Sequence, residues 1–195
     1  MAIVTHVPPS IWLRLVLLFY KMVWIFRPLL RHLGIELKMS WNEVIFATRL
    51  LLPQIAGYGP QVVVGVGVGG AIWGAVLAGS LHDLPLVVVD RRVSRKKNAR
   101  HVELIGKGAI TNNSDLISGK KLLLVNAEMI SGQTILTAKE LVESLQPDDI
   151  KLACIDFNTI SSVRPDFAYA SHNGVIQKPW RRVKTYTNPD EPVRK

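Results

Sequence analysis

The stretch Leu122-Leu-Leu-Val-Asn-Ala-Glu-Met-Ile-Ser-Gly-Gln-Thr134 lies near the middle of the chain. Its apolar start is typical of a buried strand, and the residues from about Gly132 to Leu145 have the spacing of an amphipathic helix. A helix that begins in a loop after a strand exposes the unpaired amides of its first turn, where the helix dipole also favours negative charge. The stretch therefore predicts a phosphate site made of backbone amides and hydroxyl groups. The residues of this site are Ser131, Gly132, Gln133 and Thr134.

Strands and helices alternate on both sides of this stretch. A capping box at Ser40-Trp-Asn-Glu43 opens the first core helix. The other predicted elements are strands at Val62–Val66, Leu84–Val89 and Lys151–Phe157 and a helix at Ala71–Ala78. This alternation predicts an α/β protein with a central parallel sheet flanked by helices. Ligands of such sheets bind beyond the carboxyl ends of the strands, where Gly65-Val-Gly-Val-Gly-Gly70 forms another glycine-bearing loop. In chain order we call residues 65–70 the first glycine loop and Ser131–Thr134 the second glycine loop.

Residues 90–120 interrupt the alternation with a polar and basic segment, which predicts a hairpin or a small hood over the sheet. The formal net charge of +9 predicts an anionic partner, whether a phosphorylated metabolite, a nucleic acid or an acidic membrane surface. The single cysteine, Cys154, lies in an apolar run and is predicted to be a small buried hydrophobe rather than a nucleophile. The five histidines are far apart in sequence, and this spacing predicts no metal site. Trp73 and Trp180 are predicted to be core aromatics rather than stacking platforms, and Asp156, which shows no partner in the sequence, is predicted to be structural or exposed.

The N-terminal segment is unusually apolar. Residues 11–30 form a nearly unbroken hydrophobic run of about the length that spans a bilayer. Lys21 near its middle would cost roughly 3 kcal/mol on insertion, so an interfacial helix competes with a spanning one. A helix that covers an apolar surface of its own domain or of a partner subunit is the remaining alternative. Arg27, Arg31 and Lys38 lie at and after the C-terminal end of the segment and would place the main domain in the cytoplasm, at the inner face of a membrane.

Beyond these patterns, the chain from about residue 38 to 182 resembles the type I phosphoribosyltransferases, closest to the small purine enzymes of the xanthine-guanine and hypoxanthine kind. The motifs that carry this resemblance are Ser40-Trp41 with Glu43, Gly65-Val-Gly-Val-Gly-Gly70, Ser131-Gly-Gln-Thr134, Arg164-Pro-Asp-Phe167 and Ile176-Gln-Lys-Pro-Trp180. The resemblance implies a phosphoribosyltransferase-like domain at 37–184, between an N-terminal hydrophobic helix at 1–36 and a flexible tail at 185–195.

The resemblance also implies roles for individual residues. Ser131, Gly132, Gln133 and Thr134 would hold the 5′-phosphate of phosphoribosyl pyrophosphate (PRPP). Gly67, Val68, Gly69 and Gly70 would face the pyrophosphate, and Val175 and Ile176 would flank a purine base. The basic excursion after Asp90 would close over the substrate.

The departures from the family pattern concern its acidic residues. The family usually carries two adjacent acids six and five positions before the glycine of the phosphate loop, and here these positions hold Asn126 and Ala127. A third acid, two positions before that glycine, is replaced by Ile130. Glu128 is the candidate for a catalytic acid, although it falls out of register with the family positions. Losing these carboxylates would remove the anchors for magnesium and for the ribose, while backbone amides can still bind phosphate.

Three functions follow from this combination. The first is a membrane-associated protein that binds a phosphoribosyl nucleotide or a PRPP-like phosphate with lost or altered transferase activity, and that forms a homo-oligomer. The second is an active purine phosphoribosyltransferase, which makes a nucleoside monophosphate and pyrophosphate from a base and PRPP and requires magnesium. The third is nucleic-acid binding through Arg91–Arg100 and Arg181–Lys184, which is disfavoured because no aromatic residues are interleaved with the basic ones.

Overall fold

The computed structural model describes residues 38–96, 99–105, 107–173 and 176–181. All the elements below lie in the compact unit Met39–Lys195. The helices are α1 (Trp41–Tyr58), α2 (Gly67–Ser80), α3 (Lys107–Thr111), α4 (Ser114–Ile117) and α5 (Gln133–Glu143). The strands are β1 (Val62–Val66), β2 (Leu86–Lys96), β3 (Ala99–Ile105), β4 (Lys121–Val125), β5 (Glu128–Met129), β6 (Asp149–Asn158) and β7 (Phe167–His172), and a 3₁₀ turn follows at Pro179–Arg181.

A seven-stranded sheet organises the described part of the chain. Its strand order is β3-β2-β1-β4-β6-β5, and β7 also pairs with β6. Strand β1 pairs in parallel with β2 and with β4, and β6 pairs in parallel with β4, β5 and β7. Only β2 and β3 form an antiparallel pair among the described strands. The prediction of an α/β protein with a central parallel sheet is confirmed.

The strands at the centre of the sheet are apolar because both of their faces are covered. Every residue of β1 is buried, and so are residues 122–125 of β4. Helix α1 begins at the predicted capping box, in which Glu43 N–H donates to Ser40 Oγ at 3.2 Å and Ser40 N–H donates to Glu43 Oε2 at 2.9 Å. Trp73 of α2 is fully buried, as expected, and its indole N–H donates to Thr48 Oγ1 at 2.9 Å.

The basic excursion begins as a hairpin. Strand β2 starts two residues later than predicted and continues to Lys96, where it turns back into β3. Two short helices, α3 and α4, then lead to β4. The structure therefore contains the hairpin, which was one of the two alternatives that the sequence left open.

Strand β5 continues the line of β4 after a short break. Val125 pairs with Ala153 and Glu128 pairs with Asp156, so both strands run along β6 in one register. At the break, Asn126 N–H donates to Ala153 O at 3.0 Å, and Ala127 O accepts from Ile155 N–H at 3.2 Å. The break therefore keeps its backbone bonded to β6, and it places Glu128 directly opposite Asp156 on the neighbouring strand.

The predicted N-terminal hydrophobic helix at 1–36 and the tail at 185–195 lie outside the described residues. Within the described ranges, none of the helices has the length and hydrophobicity needed to cross a membrane.

Candidate functional site

The first glycine loop opens onto a cavity at the carboxyl end of β1. Helix α2 begins at Gly67 directly after the strand, and Gly67 has a positive φ of 66°. Val66, the N-cap residue, makes no side-chain hydrogen bond to this helix start. The cavity measures about 480 Å³ and is lined by Val66, Gly67, Val68, Gly69, Asp90, Asn126, Ala127, Glu128, Lys178 and Trp180.

The glycines of this loop are required by close packing of the backbone. A Cβ built on Gly70 would lie 2.4 Å from Val125 O, and one on Gly65 would lie 2.7 Å from Gly70 O. A Cβ on Gly69 would lie 3.0 Å from Ala127 Cβ and 3.5 Å from Trp180 Cζ2. The loop therefore packs tightly against β4, against the break after it and against the C-terminal 3₁₀ turn.

The two positions where the family carries adjacent acids lie at this cavity. Asn126 and Ala127 both line it. Ala127 is only 2% exposed, because it packs beneath Gly69. A carboxylate in place of its methyl group would be buried against the first glycine loop, so the replacement by Ala is matched by the packing around it.

The second glycine loop joins β5 to α5. Gly132 has a φ of 81°, and α5 starts at Gln133 without a side-chain cap. Ser131 Oγ accepts weakly from Gln133 N–H at 3.4 Å, and no carboxylate caps this helix start in the described part of the chain. Ser131 and Gln133 are exposed, whereas Gly132 and Thr134 are buried. The assignment of these four residues to a phosphate site stays a prediction. A phosphate site of this kind needs a left-handed glycine before an accessible helix start, and Gly132 and the exposed Gln133 provide both.

A neighbouring segment, residues 161–163, holds the second loop from behind. Ser162 N–H and Ser162 Oγ both donate to Ser131 O, at 3.3 and 3.0 Å. A Cβ on Gly132 would lie 2.8 Å from Val163 Cγ2, so only glycine fits this backbone position. These contacts fix the loop without using its side chains.

A cluster of buried ionisable side chains lies at the cavity, and two of its members, Glu128 and Lys178, line it. Lys178 Nζ lies 2.6 Å from Asp156 Oδ2 and 3.9 Å from Glu128 Oε1. The other oxygen of Asp156, Oδ1, lies 3.0 Å from His172 Nε2. Asp156 is fully buried and Lys178 is 1% exposed. We call Glu128, Asp156, His172 and Lys178 the buried ionic cluster.

The cluster also binds the backbone of the predicted base pocket. Ile176 N–H donates to Glu128 Oε1 at 3.3 Å, and Ile176 O accepts from Lys178 Nζ at 3.3 Å. Ile176 is fully buried, and Val175, the other predicted pocket residue, lies outside the described residues. The candidate catalytic acid Glu128 thus lines the cavity while its carboxylate is bound by the backbone and by the cluster.

Two expectations about single residues need correction. Asp156, for which the sequence showed no partner, bridges Lys178 and His172, because the parallel sheet brings β5, β7 and the segment before the 3₁₀ turn around β6. Trp180, predicted to be a core aromatic, lines the cavity, and its ring lies 5.7 Å from that of Trp41, which is 49% exposed.

The cluster was missed in the sequence, although one signal for it was present. Asp156 interrupts the apolar strand Ile150–Phe157, and a charged side chain on a buried strand needs a partner. Cys154, on the same strand, is buried as predicted. Burial raises the pKa of its thiol well above the usual value, the Asp156 charge raises it further and Lys178 lowers it.

Comparisons with known proteins agree with this geometry. A sequence model of the phosphoribosyl transferase domain matches residues 41–180. No curated protein matches the chain at a significant level. Among solved structures, a purine phosphoribosyltransferase from Pyrococcus horikoshii Ot3 is 26% identical, with a TM-score of 0.64 over 74% of this chain and 93% of that one.

Two further structures share the fold at 16% identity. One is a hypothetical protein from Neisseria gonorrhoeae with bound ppGpp, with a TM-score of 0.64 over 76% of this chain and 90% of that one. The other is a xanthine-guanine-hypoxanthine phosphoribosyltransferase from Helicobacter pylori, with a TM-score of 0.61 over 76% of this chain and 95% of that one. The predicted resemblance is confirmed, and the chain belongs to the phosphoribosyltransferase family, with the small purine enzymes among its structural neighbours.

Proposed function

We propose that this protein binds a phosphoribosyl nucleotide, or a PRPP-like phosphate, and that its transferase activity is lost or altered. The observation that carries the proposal is the second glycine loop. Gly132, at a φ of 81°, is the N-cap residue of α5 and has no side chain to cap it, and Ser131 Oγ accepts only weakly, at 3.4 Å, from Gln133 N–H. Helix starts of this kind bind phosphate through backbone amides and the helix dipole, with no need for a particular side chain.

Altered activity is supported by the side chains of the cavity. Asn126 and Ala127 line it where the family carries adjacent acids, and Glu128 is held by Ile176 N–H and lies beside Lys178. Transfer from PRPP depends on neutralising the leaving diphosphate and on holding the ribose in line. The described cavity retains the backbone groups of the first glycine loop, whereas the two adjacent acids of the family are absent from its lining.

A ligand panel tests the binding proposal. The full-length protein is heated with guanosine, inosine or xanthosine 5′-monophosphate, with PRPP, or with ppGpp, each with and without magnesium. A ligand that binds the folded state alone raises the melting temperature as its concentration rises. We expect at least one nucleoside monophosphate or PRPP to do so, and calorimetry gives its affinity. No shift with any member of the panel would contradict the proposal.

The second candidate function is an active purine phosphoribosyltransferase. It is favoured by the 26% identity to the Pyrococcus enzyme over 93% of that chain. Glu128 would then have to act as the acid of the site. The discriminating measurement supplies PRPP, magnesium and hypoxanthine, guanine, xanthine or adenine, and follows nucleotide formation by chromatography. Turnover at rates ordinary for an enzyme, about 1 per second or faster, would establish this function and refute the loss of activity.

Membrane association is the part of the proposal that rests on residues 11–30. Their apolar run, with basic residues after it, is typical of a spanning or interfacial helix. We expect the full-length protein to float with phosphatidylglycerol-containing vesicles, and Leu17→Asp with Val23→Asp to abolish flotation. Extraction by alkaline carbonate separates the two modes, since only a spanning helix resists it. Failure of the natural chain to bind vesicles would refute membrane association and leave phosphate binding untouched.

A further inference from the structure

The buried ionic cluster contains a pair of carboxylates that cannot be stable alone. Glu128 and Asp156 are directly opposite each other on neighbouring parallel strands. The Glu128 side chain is 5% exposed and that of Asp156 is fully buried. Like charges directly opposite each other on a sheet are destabilising, and burial greatly increases the cost. A cation next to Glu128 Oε1 and Asp156 Oδ2 relieves this repulsion.

We propose that the ammonium group of Lys178 is the fixed cation of this site. It occupies the position that a divalent metal ion would take among Glu128, Asp156 and His172, and the phosphorylated ligand of the adjacent cavity is consequently bound without a divalent metal. The second half of this inference rests on the proposed function, whereas the first half does not.

The donor set around Lys178 is that of a cation site. Glu128, Asp156 and His172 each offer one ligand atom, and these atoms lie within 4.8 Å of one another. Carboxylate oxygens and imidazole nitrogen are ligands for Mn²⁺ and Zn²⁺. Lys178 Nζ already lies 2.6 Å from one carboxylate and 3.9 Å from the other. An ammonium group at this position repels a metal ion strongly. It also occupies Asp156 Oδ2, a carboxylate oxygen that the metal ion would need as a ligand.

The backbone around Lys178 keeps its ammonium group in place. Ile176 O accepts from Nζ at 3.3 Å, and Lys178 is followed at once by Pro179 and the 3₁₀ turn. Met39 N–H donates to Gln177 O at 2.9 Å, which ties the same segment to the start of the domain. The positive charge is thus fixed within the folded chain, and Lys178 is one of the residues that line the cavity.

The cation is fixed where the family acids are missing. Asn126 and Ala127, at the positions of the family's adjacent acids, line the same cavity as Lys178. Loss of these acids removes the partners that would bring a metal-bound ligand, and the Lys178 ammonium occupies the donor set that remains for a metal ion among the described residues. The two changes have the same consequence, which is ligand binding that does not depend on magnesium.

Direct metal binding tests the first half without any phosphorylated ligand. Full-length protein is titrated with Mn²⁺, and the free ion is counted by electron paramagnetic resonance. We expect Lys178→Ala to bind one Mn²⁺ per chain, and Glu128→Gln in the Lys178→Ala background to lose it. The matched control is Lys151→Ala, which removes an exposed lysine paired with Asp166 at 2.9 Å, and we expect it to bind no more Mn²⁺ than the natural chain.

The natural chain provides a test that does not depend on how the variant folds. Stoichiometric Mn²⁺ binding by the natural chain that Glu128→Gln abolishes would overturn the inference, because the ammonium would then not exclude the metal. If Lys178→Ala unfolds in metal-free buffer, we expect Mn²⁺ or ethylammonium to restore its circular dichroism, since a cation that binds only the folded state drives folding. A variant that neither Mn²⁺ nor ethylammonium restores would overturn it as well.

Nucleotide affinity tests the second half. Guanosine 5′-monophosphate and PRPP are titrated into the natural chain in magnesium and in chelator. We expect affinities that agree within about twofold, whereas a loss of tenfold or more in chelator would overturn metal-free binding. If neither compound binds under either condition, the proposed function fails, and the Mn²⁺ result still decides the role of Lys178.

Discussion

The two glycine-bearing loops of this protein both follow a strand and lead into a helix, and they differ in what requires their glycines. In the first loop, Gly70 is pressed against Val125 O and Gly69 against Ala127, so packing within the protein requires the absence of side chains. In the second, Gly132 is required by its φ of 81° and by Val163 behind it. The first loop therefore forms a cavity wall beside buried charges, whereas the second holds its glycine in a left-handed conformation at the exposed start of α5.

The largest effect on stability is expected from removing a charge of the buried ionic cluster, which lies at the cavity beside the first loop. Asp156→Asn removes the negative charge nearest the buried Lys178 ammonium. Removing one partner of a buried ion pair lowers the free energy of unfolding by about 3–5 kcal/mol. Urea unfolding measures this loss. Lys139→Met is the control, because its exposed pair with Glu143 at 3.3 Å is worth under about 0.5 kcal/mol. A loss from Asp156→Asn as small as that of the control would contradict the account.

The packing of the first loop is tested by Gly70→Ala. The new Cβ would meet Val125 O, a backbone atom that cannot swing aside, and we expect a loss of about 3 kcal/mol. Gly57→Ala is the matched change, since it lies in α1 with nothing within 4 Å of the new Cβ. It should stabilise by about 0.5 kcal/mol because alanine is the better helix former. Equal effects in the two variants would show that packing does not explain Gly70.

The backbone conformation of the second loop is tested by Gly132→Ala. A left-handed alanine costs about 1–2 kcal/mol, and displacement of the loop should weaken guanosine 5′-monophosphate about tenfold through the loss of one charged hydrogen bond. Gly119→Ala has a similar φ of 64° and an unobstructed Cβ, so it should share the strain and keep the affinity. Calorimetry separates the two variants, and unchanged affinity in Gly132→Ala would remove this loop from the phosphate site.

The smallest effect on stability is expected for Cys154, which lies on β6 two residues before Asp156 of the buried ionic cluster. Burial raises the folded-state pKa of this thiol, so the thiol does not make the free energy of unfolding depend on pH below its unfolded pKa of about 8.5. Above that pH, the folded protein loses stability as the pH rises towards the folded-state pKa. We expect iodoacetamide at pH 8 to alkylate the unfolded protein readily and the native protein hardly at all. Rapid alkylation of the native chain, measured by mass spectrometry, would show that solvent reaches Cys154 and would contradict its burial.

Local features of the chain were predicted well, since each depends on neighbouring residues. The capping box at Ser40 and Glu43, the buried run of β4 and the start of α5 are all readable from short-range patterns. The hairpin after Asp90 was one of two open alternatives because basic side chains show a solvent-exposed segment without showing its pairing. Residues 1–36, with the predicted hydrophobic helix, and Val175 stay untested because they lie outside the described residues.

The buried ionic cluster was not predictable in the same way. Its four members come from β5, β6, β7 and the segment before the 3₁₀ turn, and they are separated by up to 50 positions in the chain. Nothing in the spacing of Glu128, Asp156, His172 and Lys178 indicates that they meet. The role of Trp180 was misjudged for the same reason, because an aromatic residue near a terminus packs equally well in a core or at a cavity wall.

The amino-acid sequence by itself determined the alternation of strands and helices, the family and the two loops with their glycines, because hydrophobic periodicity and backbone freedom are local properties. Only the tertiary structure decided which side chains surround the cavity and which charges neutralise one another. The parallel sheet sets Glu128 opposite Asp156, and the returning chain inserts Lys178 beside both. Electrostatic energy depends on distance in space, and a linear sequence does not contain that distance.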